Sequence, residues 1–286
     1  MKFMTRKRML AALLASVFVF SCVFTGCGKE EETPVASVDT VEQEEEEAEE
    51  KKEEPYKKPE GSITVATFNI AHGRECNNYY PTLADDIKAS GAEIVGIQEI
   101  DQMTDRNQQQ NTLKVLSQST GMEYTAFAPA LTPYQNGEYG VGILSKYPIE
   151  SFEYFQLPKL SDAEEQRVIL HGKINIDGFI LDFFVTHGQQ SSITQQLKAA
   201  NEYIKQCETF VFTGDFNTNN YGLYKNIENS RAIVNDEAPR MTSESHSFDN
   251  IILSNNIEYD AKNIRTIDTG HTDHYMLLVD VMLPKK

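Results

Sequence analysis

The sequence predicts an α/β domain built as a sandwich, with two packed mixed sheets and helices on the outside. Three observations lead there. Short runs rich in Val, Ile and Phe dominate residues 61–286, a few stretches with helical spacing interrupt them, and no repeat of solenoid or propeller length is present.

The elements follow in order. SITVATFNI (62–70) and EIVGIQEI (93–100) read as buried strands. Between them, PTLADDIKAS (81–90) sets Leu83 and Ile87 four apart and stops at Gly91, the signature of a helix with its terminator. A second helix is expected over Gln108–Gln118, with Leu113 and Leu116 inward and Gly121 behind. EYTAFAPAL, YGVGILSKYPI, RVILHGKINI and FILDFFVTH follow as strands, the last two joined through Asp177-Gly178 as a hairpin. ITQQLKAANEYIKQC places Leu197, Ala200 and Ile204 on one helical face, giving about four helices in all. FVFTGD, FDNIILS and YMLLVDVML close the set.

Upstream of this domain the chain changes character twice. Lys2, Arg6, Lys7 and Arg8 precede an apolar run from Met9 to Phe24, and Thr25-Gly26-Cys27 places small residues before a cysteine. That is a secretory layout, and it resembles a bacterial lipoprotein signal in which Cys27 is lipidated and becomes the mature N-terminus. An uncleaved anchor is the alternative. Either way the chain is expected on the extracytoplasmic face of a bacterial membrane. Residues 28–60 carry 14 acids against 5 bases and three prolines, too polar to offset the entropy of ordering, and read as an extended acidic tether.

Residues 61–286 hold 29 acids against 17 bases, which argues against avid, non-specific binding of nucleic acid. Chemistry on a phosphate stays open, because a bound cation inverts the local field. Cys76 and Cys207 are the only thiols of the domain, with no disulfide framework or zinc spacing, and whether they pair is left open.

Polar residues fall at strand ends. The first strand ends in Asn69, the second in Gln98-Glu99, and FFVTH in His187. FVFTGD delivers Asp215 and then Asn217, FDNIILS opens with Asp249, and the last strand is entered through Asp273 and His274. Each alone has a plain explanation, since Asp and Asn close strands as turn residues and a lone His is often a bonded loop residue. Six such boundaries together point to a site.

In order, TFNI, IQEI, YGVGILSKYPI, FVTHG, TGDFNT, FDNIILS and TDHYMLLVDV resemble the endonuclease/exonuclease/phosphatase superfamily, the deoxyribonuclease I-like hydrolases, over residues 62–284. The resemblance implies a four-layered α/β/β/α sandwich and a phosphoesterase working with Mg²⁺ or Mn²⁺. It implies Glu99 as the metal ligand, Asn69 in the metal shell and at the phosphate, and Asp273 as a second-site ligand. Asp215 would orient or deprotonate water, and Asn217 would hold a phosphate oxygen. His187 and His274 would contact the phosphate or leaving group, with Asp249 fixing the tautomer of His274. Tyr139 and Arg167 are further candidates at an anionic substrate, a surface ion pair with a glutamate being the plain alternative for Arg167.

Two positions depart from the family pattern. Gly188 stands where the family usually has Leu, which is expected to free the loop or admit a bulkier substrate, and Met276 stands where a proline is common. The expected substrate is a small phosphoester, nucleotide or lipid headgroup, with DNA or RNA as the runner-up, and the chain is expected to be a monomer. A lipoprotein that kept the fold as a non-catalytic binding module is the alternative from another class.

Overall fold

The computed structural model describes residues 57–285. Cys27 and the signal segment lie outside them, as does all but the end of the acidic tether. The described residues hold thirteen strands, three short 3-10 turns and three α-helices, fewer than the about four helices expected. In chain order they are β1 (Ile63–Asn69), α1 (Tyr80–Ser90), β2 (Ile94–Gln102), α2 (Thr112–Thr120), β3 (Tyr124–Tyr134), β4 (Gly137–Ser145), β5 (Ile149–Leu157), β6 (Arg167–Ile176) and β7 (Phe179–His187). Then come α3 (Ile193–Ile204), β8 (Phe210–Asp215), β9 (Ser230–Ala232), β10 (Asp249–Ser254), β11 (Glu258–Tyr259), β12 (Arg265–Ile267) and β13 (Met276–Met282).

One sheet runs β11-β13-β1-β2-β4-β3, with β12 also on β13, and the other runs β5-β6-β7-β8-β10-β9. Both are mixed: β1–β2 and β7–β8 are parallel pairs, and the rest are antiparallel. Alternation along each strand makes two apolar faces, so each sheet must be covered twice. Val65, Ile143, Phe183, Val185 and Ile251 fill the layer between the sheets. Leu83, Ile87, Leu113 and Leu116 of α1 and α2 seal one outer face over Val95 and Ile97. Leu197, Ala200 and Ile204 of α3 seal the other over Phe184, Phe210 and Phe212. Three apolar layers between four tiers give the α/β/β/α sandwich that the sequence implied.

Most element boundaries follow their punctuation. Gly91 and Gly121 end α1 and α2 in the left-handed conformation, and Asp177-Gly178 turns β6 into β7 with both φ positive (50° and 89°). The second helix needs correction. It begins at Thr112, capped by the Asn111 side chain, because residues 104–110 form a loop in which the Asn107 amide bonds the carbonyls of Asp101 and Gln110. YGVGILSKYPI is not one strand but the end of β4, a turn at Lys146-Tyr147, and the start of β5. β5 itself was not foreseen; it is a largely exposed edge strand, with Phe152 and Tyr154 facing water.

Gly96 marks a close approach of the sheets. A Cβ there would sit 2.0 Å from Thr213 Oγ1 and 3.1 Å from Val185 Cγ2, both across the central layer. Gly96→Ala is therefore expected to lower stability by about 1–3 kcal/mol through overpacking, seen as a lower urea midpoint at unchanged slope. A wild-type midpoint would show that the sheets can part at no cost.

Candidate active site

The topology brings the polar strand ends to one edge. Parallel pairing sets His187 beside Asp215, antiparallel pairing sets Asp249 on its other side, and Asn69 pairs with Gln98 in the facing sheet. Asp215 is the meeting point. Its Oδ1 accepts the backbone N–H of Asn217 at 2.9 Å, which is turn chemistry, while its Oδ2 accepts from the Asn69 amide at 2.9 Å across the sheet gap. The same Oδ2 lies 3.6 Å from Nε2 of both His187 and His274.

Glu99 reaches this centre through a distorted strand. The β2–β4 register slips between Ile97 and Ile100, and Glu99 sits in the bulge with φ of 58°. Asn217 is also left-handed, at 51°. Such backbone strain collects at functional sites. The Asn69 amide nitrogen donates to Glu99 Oε1 at 3.1 Å as well as to Asp215, while its Oδ1 is occupied by the Ala71 N–H. Asn69, expected in the metal shell and at the phosphate, thus turns its amide nitrogen toward both carboxylates.

Burial and then the Asp249 carboxylate push Asp215 up to about 6, and burial likewise raises Glu99, with Asp215 adding to it. His274 goes the other way. Burial opposes its charge, but Nδ1 donates to Asp249 Oδ2 at 2.8 Å, and that bond with the Asp249 charge raises it to about 10. Burial, and then the Arg167 and His274 charges, hold His187 well below its ordinary value, so it is neutral at pH 7. Arg167 Nη1 approaches its Nδ1 at 3.3 Å and the Asn217 amide its Nε2 at 3.0 Å. A neutral imidazole accepts at only one nitrogen, so these two donors compete.

Arg167 does pair with Glu165, at 3.2 Å, but it is no surface group: it is buried beside His187, Gln189 and Tyr139. Tyr139 is buried too, facing Arg167, its ring 5.7 Å from that of Tyr134. Asp273 is peripheral, more than half exposed and bound to Arg74 at 3.1 Å. Gly188 is not a point of freedom. Its N–H donates to the Asp215 carbonyl, its carbonyl accepts from Asn217, and a Cβ would lie 2.7 Å from Ile193 Cδ1 and 2.9 Å from the Phe216 carbonyl. Cys76 and Cys207 are both free.

Sequence reading passed over His72 and Arg106. His72 feels the charges of Arg106, Asp101 and Glu99, and Arg106 binds both oxygens of buried Asp101 beneath the Tyr134 and Tyr139 rings. The only signal was an acid and a base five apart after IQEI, which any surface loop can show.

The donor set fits a hard divalent cation. Asp215 and Asp249 offer carboxylate oxygens within 4.8 Å of each other, Glu99 shares the Asn69 amide with Asp215, and Asp249 Oδ1 is buried without a partner. The raised Asp215 and Glu99 mark uncompensated negative charge, while the cationic His274 has no lone pair to offer. An oxygen-rich pocket of this kind on the edge of two sheets defines a metal-dependent phosphoric ester hydrolase. The model of the Endonuclease/Exonuclease/phosphatase family matches residues 66–242, and the chain belongs to that family.

Solved structures agree on the fold. An endonuclease/exonuclease/phosphatase from Beutenbergia cavernae aligns with a TM-score of 0.64 at 16% identity, over 78% of this chain and 72% of that one. A mannosyl-6-phosphatase from Bacteroides thetaiotaomicron aligns at 0.60 and 17% identity, over 77% and 99%. D. rerio TDP2 complexed with a single-strand DNA product aligns at 0.59 and 15% identity, over 77% and 98%. By sequence, no curated protein matches the chain.

The Asp215 value yields a stability test. Its folded value, about 6, lies above the unfolded 3.8, so its ionisation weakens the fold as pH rises through about 6, and that weakening is absent below the unfolded value. In chelator, Asp215→Asn should therefore gain stability relative to wild type on going from pH 4 to pH 8, read from denaturant midpoints. A difference independent of pH would show that Asp215 is not desolvated as described.

Proposed function

We propose that this chain is an extracytoplasmic, membrane-tethered phosphoesterase that cleaves a small phosphomonoester or phosphodiester by in-line attack of water. The observation that carries the reading is the Asp215 carboxylate: one oxygen is tied into the turn, the other is held by Asn69 between two imidazoles. A divalent cation, Mg²⁺ or Mn²⁺, held by Glu99 would supply positive charge to the phosphoryl and leaving oxygens.

The protein groups divide the remaining work. Asp215 Oδ2 orients the attacking water and accepts its proton; a carboxyl raised to about 6 is a better base than an ordinary aspartate and is still largely ionised at pH 7. His274, kept cationic by Asp249, donates to a phosphoryl oxygen. His187 with its proton on Nε2 and Arg167 at Nδ1 directs a neutral N–H at the same centre. Asn69 holds the Asp215 carboxylate in register, and the Asn217 amide, released from Nε2 in this tautomer, keeps its bond to the Gly188 carbonyl beside His187.

The acidic domain supports a small, compact substrate over long duplex DNA. Nucleic acid is the second reading, supported by the relative complexed with single-strand DNA. Lipidation at Cys27 and the acidic tether would hold the domain, as a monomer, off the outer face of the membrane. A lipid-label experiment tests the anchor: wild type should carry label and Cys27→Ser should not, and a labelled variant would refute the assignment.

Chelator should abolish turnover on a screen of sugar phosphates, nucleotides, DNA, RNA and sphingomyelin, and Mg²⁺ or Mn²⁺ should restore it. Absence of activity on every phosphoester would favour a binding module. Glu99→Gln should raise the metal concentration needed for half-activity, and an unchanged titration would remove Glu99 from the ligand set. Asp215→Asn should cut kcat by roughly 10²–10⁴-fold. Near-wild-type turnover would mean that the carboxylate serves only its turn.

A further inference from the structure

On the outer face of the second sheet, about 16 Å along β7 from His187, three different metal-binding side chains converge. His171 lies in β6, Asp182 in β7, and Cys207 in the turn between α3 and β8. One ligand atom from each lies within 4.8 Å of the others. We propose that His171, Asp182 and Cys207 form a second metal site, selective for Zn²⁺ or a similar borderline transition ion and distinct from the oxygen-rich catalytic centre.

The surroundings are those of a built site. The His171 ring is buried and stacked on Phe184, with centroids 4.2 Å apart and planes within 11°, so its orientation is fixed. Its Nε2 faces Asp182 Oδ1 at 2.7 Å, while Nδ1 faces Glu153 Oε1 of β5 at 3.4 Å. A carboxylate behind the far nitrogen is the partner that a ligating histidine commonly has. The turn that carries Cys207 is anchored by its N–H to the Ile204 carbonyl, and Asp182 N–H bonds the Thr209 carbonyl on the same turn.

Donor chemistry selects the ion. Nitrogen, oxygen and thiolate together suit Zn²⁺, whereas Mg²⁺ takes oxygen ligands. Tetrahedral zinc needs ligand atoms about 3.3–3.8 Å apart, so His171 Nε2 and Asp182 Oδ1, 2.7 Å apart as a hydrogen-bonded pair, part as the ion enters between them, while rotation of the half-buried Cys207 brings its sulfur in. Without the ion, burial and then the Asp182 charge and hydrogen bond push the Cys207 thiol up to about 12, so it is held protonated. Binding releases that proton to solvent and forms the sulfur–metal bond, without oxidation or reduction. Lys173 Nζ, half-exposed and 3.2 Å from Asp182 Oδ1, is displaced into water as the ion enters. The ion would pin the α3–β8 turn to β6 and β7, and its fourth position is left to water.

The test uses the full chain in saturating Mg²⁺, which occupies the catalytic centre and does not seek thiolate. Co²⁺ should produce a near-ultraviolet thiolate-to-cobalt band that Zn²⁺ erases, and the band should vanish in Cys207→Ser and persist in Cys76→Ser. Lys173→Met should bind about 2- to 5-fold more tightly, because the competing ammonium is gone. In wild type, Zn²⁺ should protect the Cys207 peptide, and not the Cys76 peptide, from iodoacetamide, a readout that needs no variant to fold. Absence of the band, its survival in Cys207→Ser, or equal alkylation of Cys207 with and without Zn²⁺ would overturn the proposal.

Discussion

Asn69 and Asp215 belong to different sheets, and the 2.9 Å hydrogen bond between them closes the edge where the two sheets meet. The bond requires β1 and β8, which face each other across the central layer, to end at the same edge. The close approach at Gly96 keeps the sheets near enough for one amide to span the gap. The amide also reaches Glu99, so a single neutral side chain holds two carboxylates that would otherwise repel. Its orientation is set in turn by the Ala71 N–H on its oxygen.

Around that bond the charges are arranged unevenly. Three buried or nearly buried carboxylates, Glu99, Asp215 and Asp249, face one imidazolium, His274. The negative excess costs stability in the free protein and is the physical basis of its affinity for a cation. The two imidazoles are set apart by their neighbours: Asp249 makes His274 cationic, and Arg167 with burial keeps His187 neutral. One edge thus holds one cationic and one neutral histidine, which suits two different hydrogen-bonding tasks.

Outside the site the fold is held by ordinary means. The three apolar layers are separate, so α3 packs only on the second sheet's outer face while α1 and α2 pack on the first. That same outer face, where α3 ends, is where Cys207 meets His171 and Asp182. The exposed edge strand β5 contributes Glu153 there and stacks Phe155 on Tyr203 of α3 at 3.8 Å, which explains how so polar a strand is retained.

By itself the sequence determined the buried strands, the helix stops at Gly91 and Gly121, and the hairpin at Asp177-Gly178, because apolar period and φ-permissive residues act locally. It also determined that Asn69, His187, Asp215, Asp249 and His274 stand at or beside strand boundaries, whereas Glu99, expected at the end of its strand, sits in a bulge inside β2, which runs on to Gln102. Local signals failed where partners are distant or exposed: α2 starts late because Asn107 stabilises a loop, and β5 alternates too weakly to be seen. Only the tertiary structure decided that Arg167 is buried beside His187, that Gly188 is wedged against Phe216, and that Asn69 turns its nitrogen inward. Each of these depends on which strand lies next to which. A hydrogen bond or steric limit between residues 20 to 146 apart in the chain leaves no periodic trace in either segment alone.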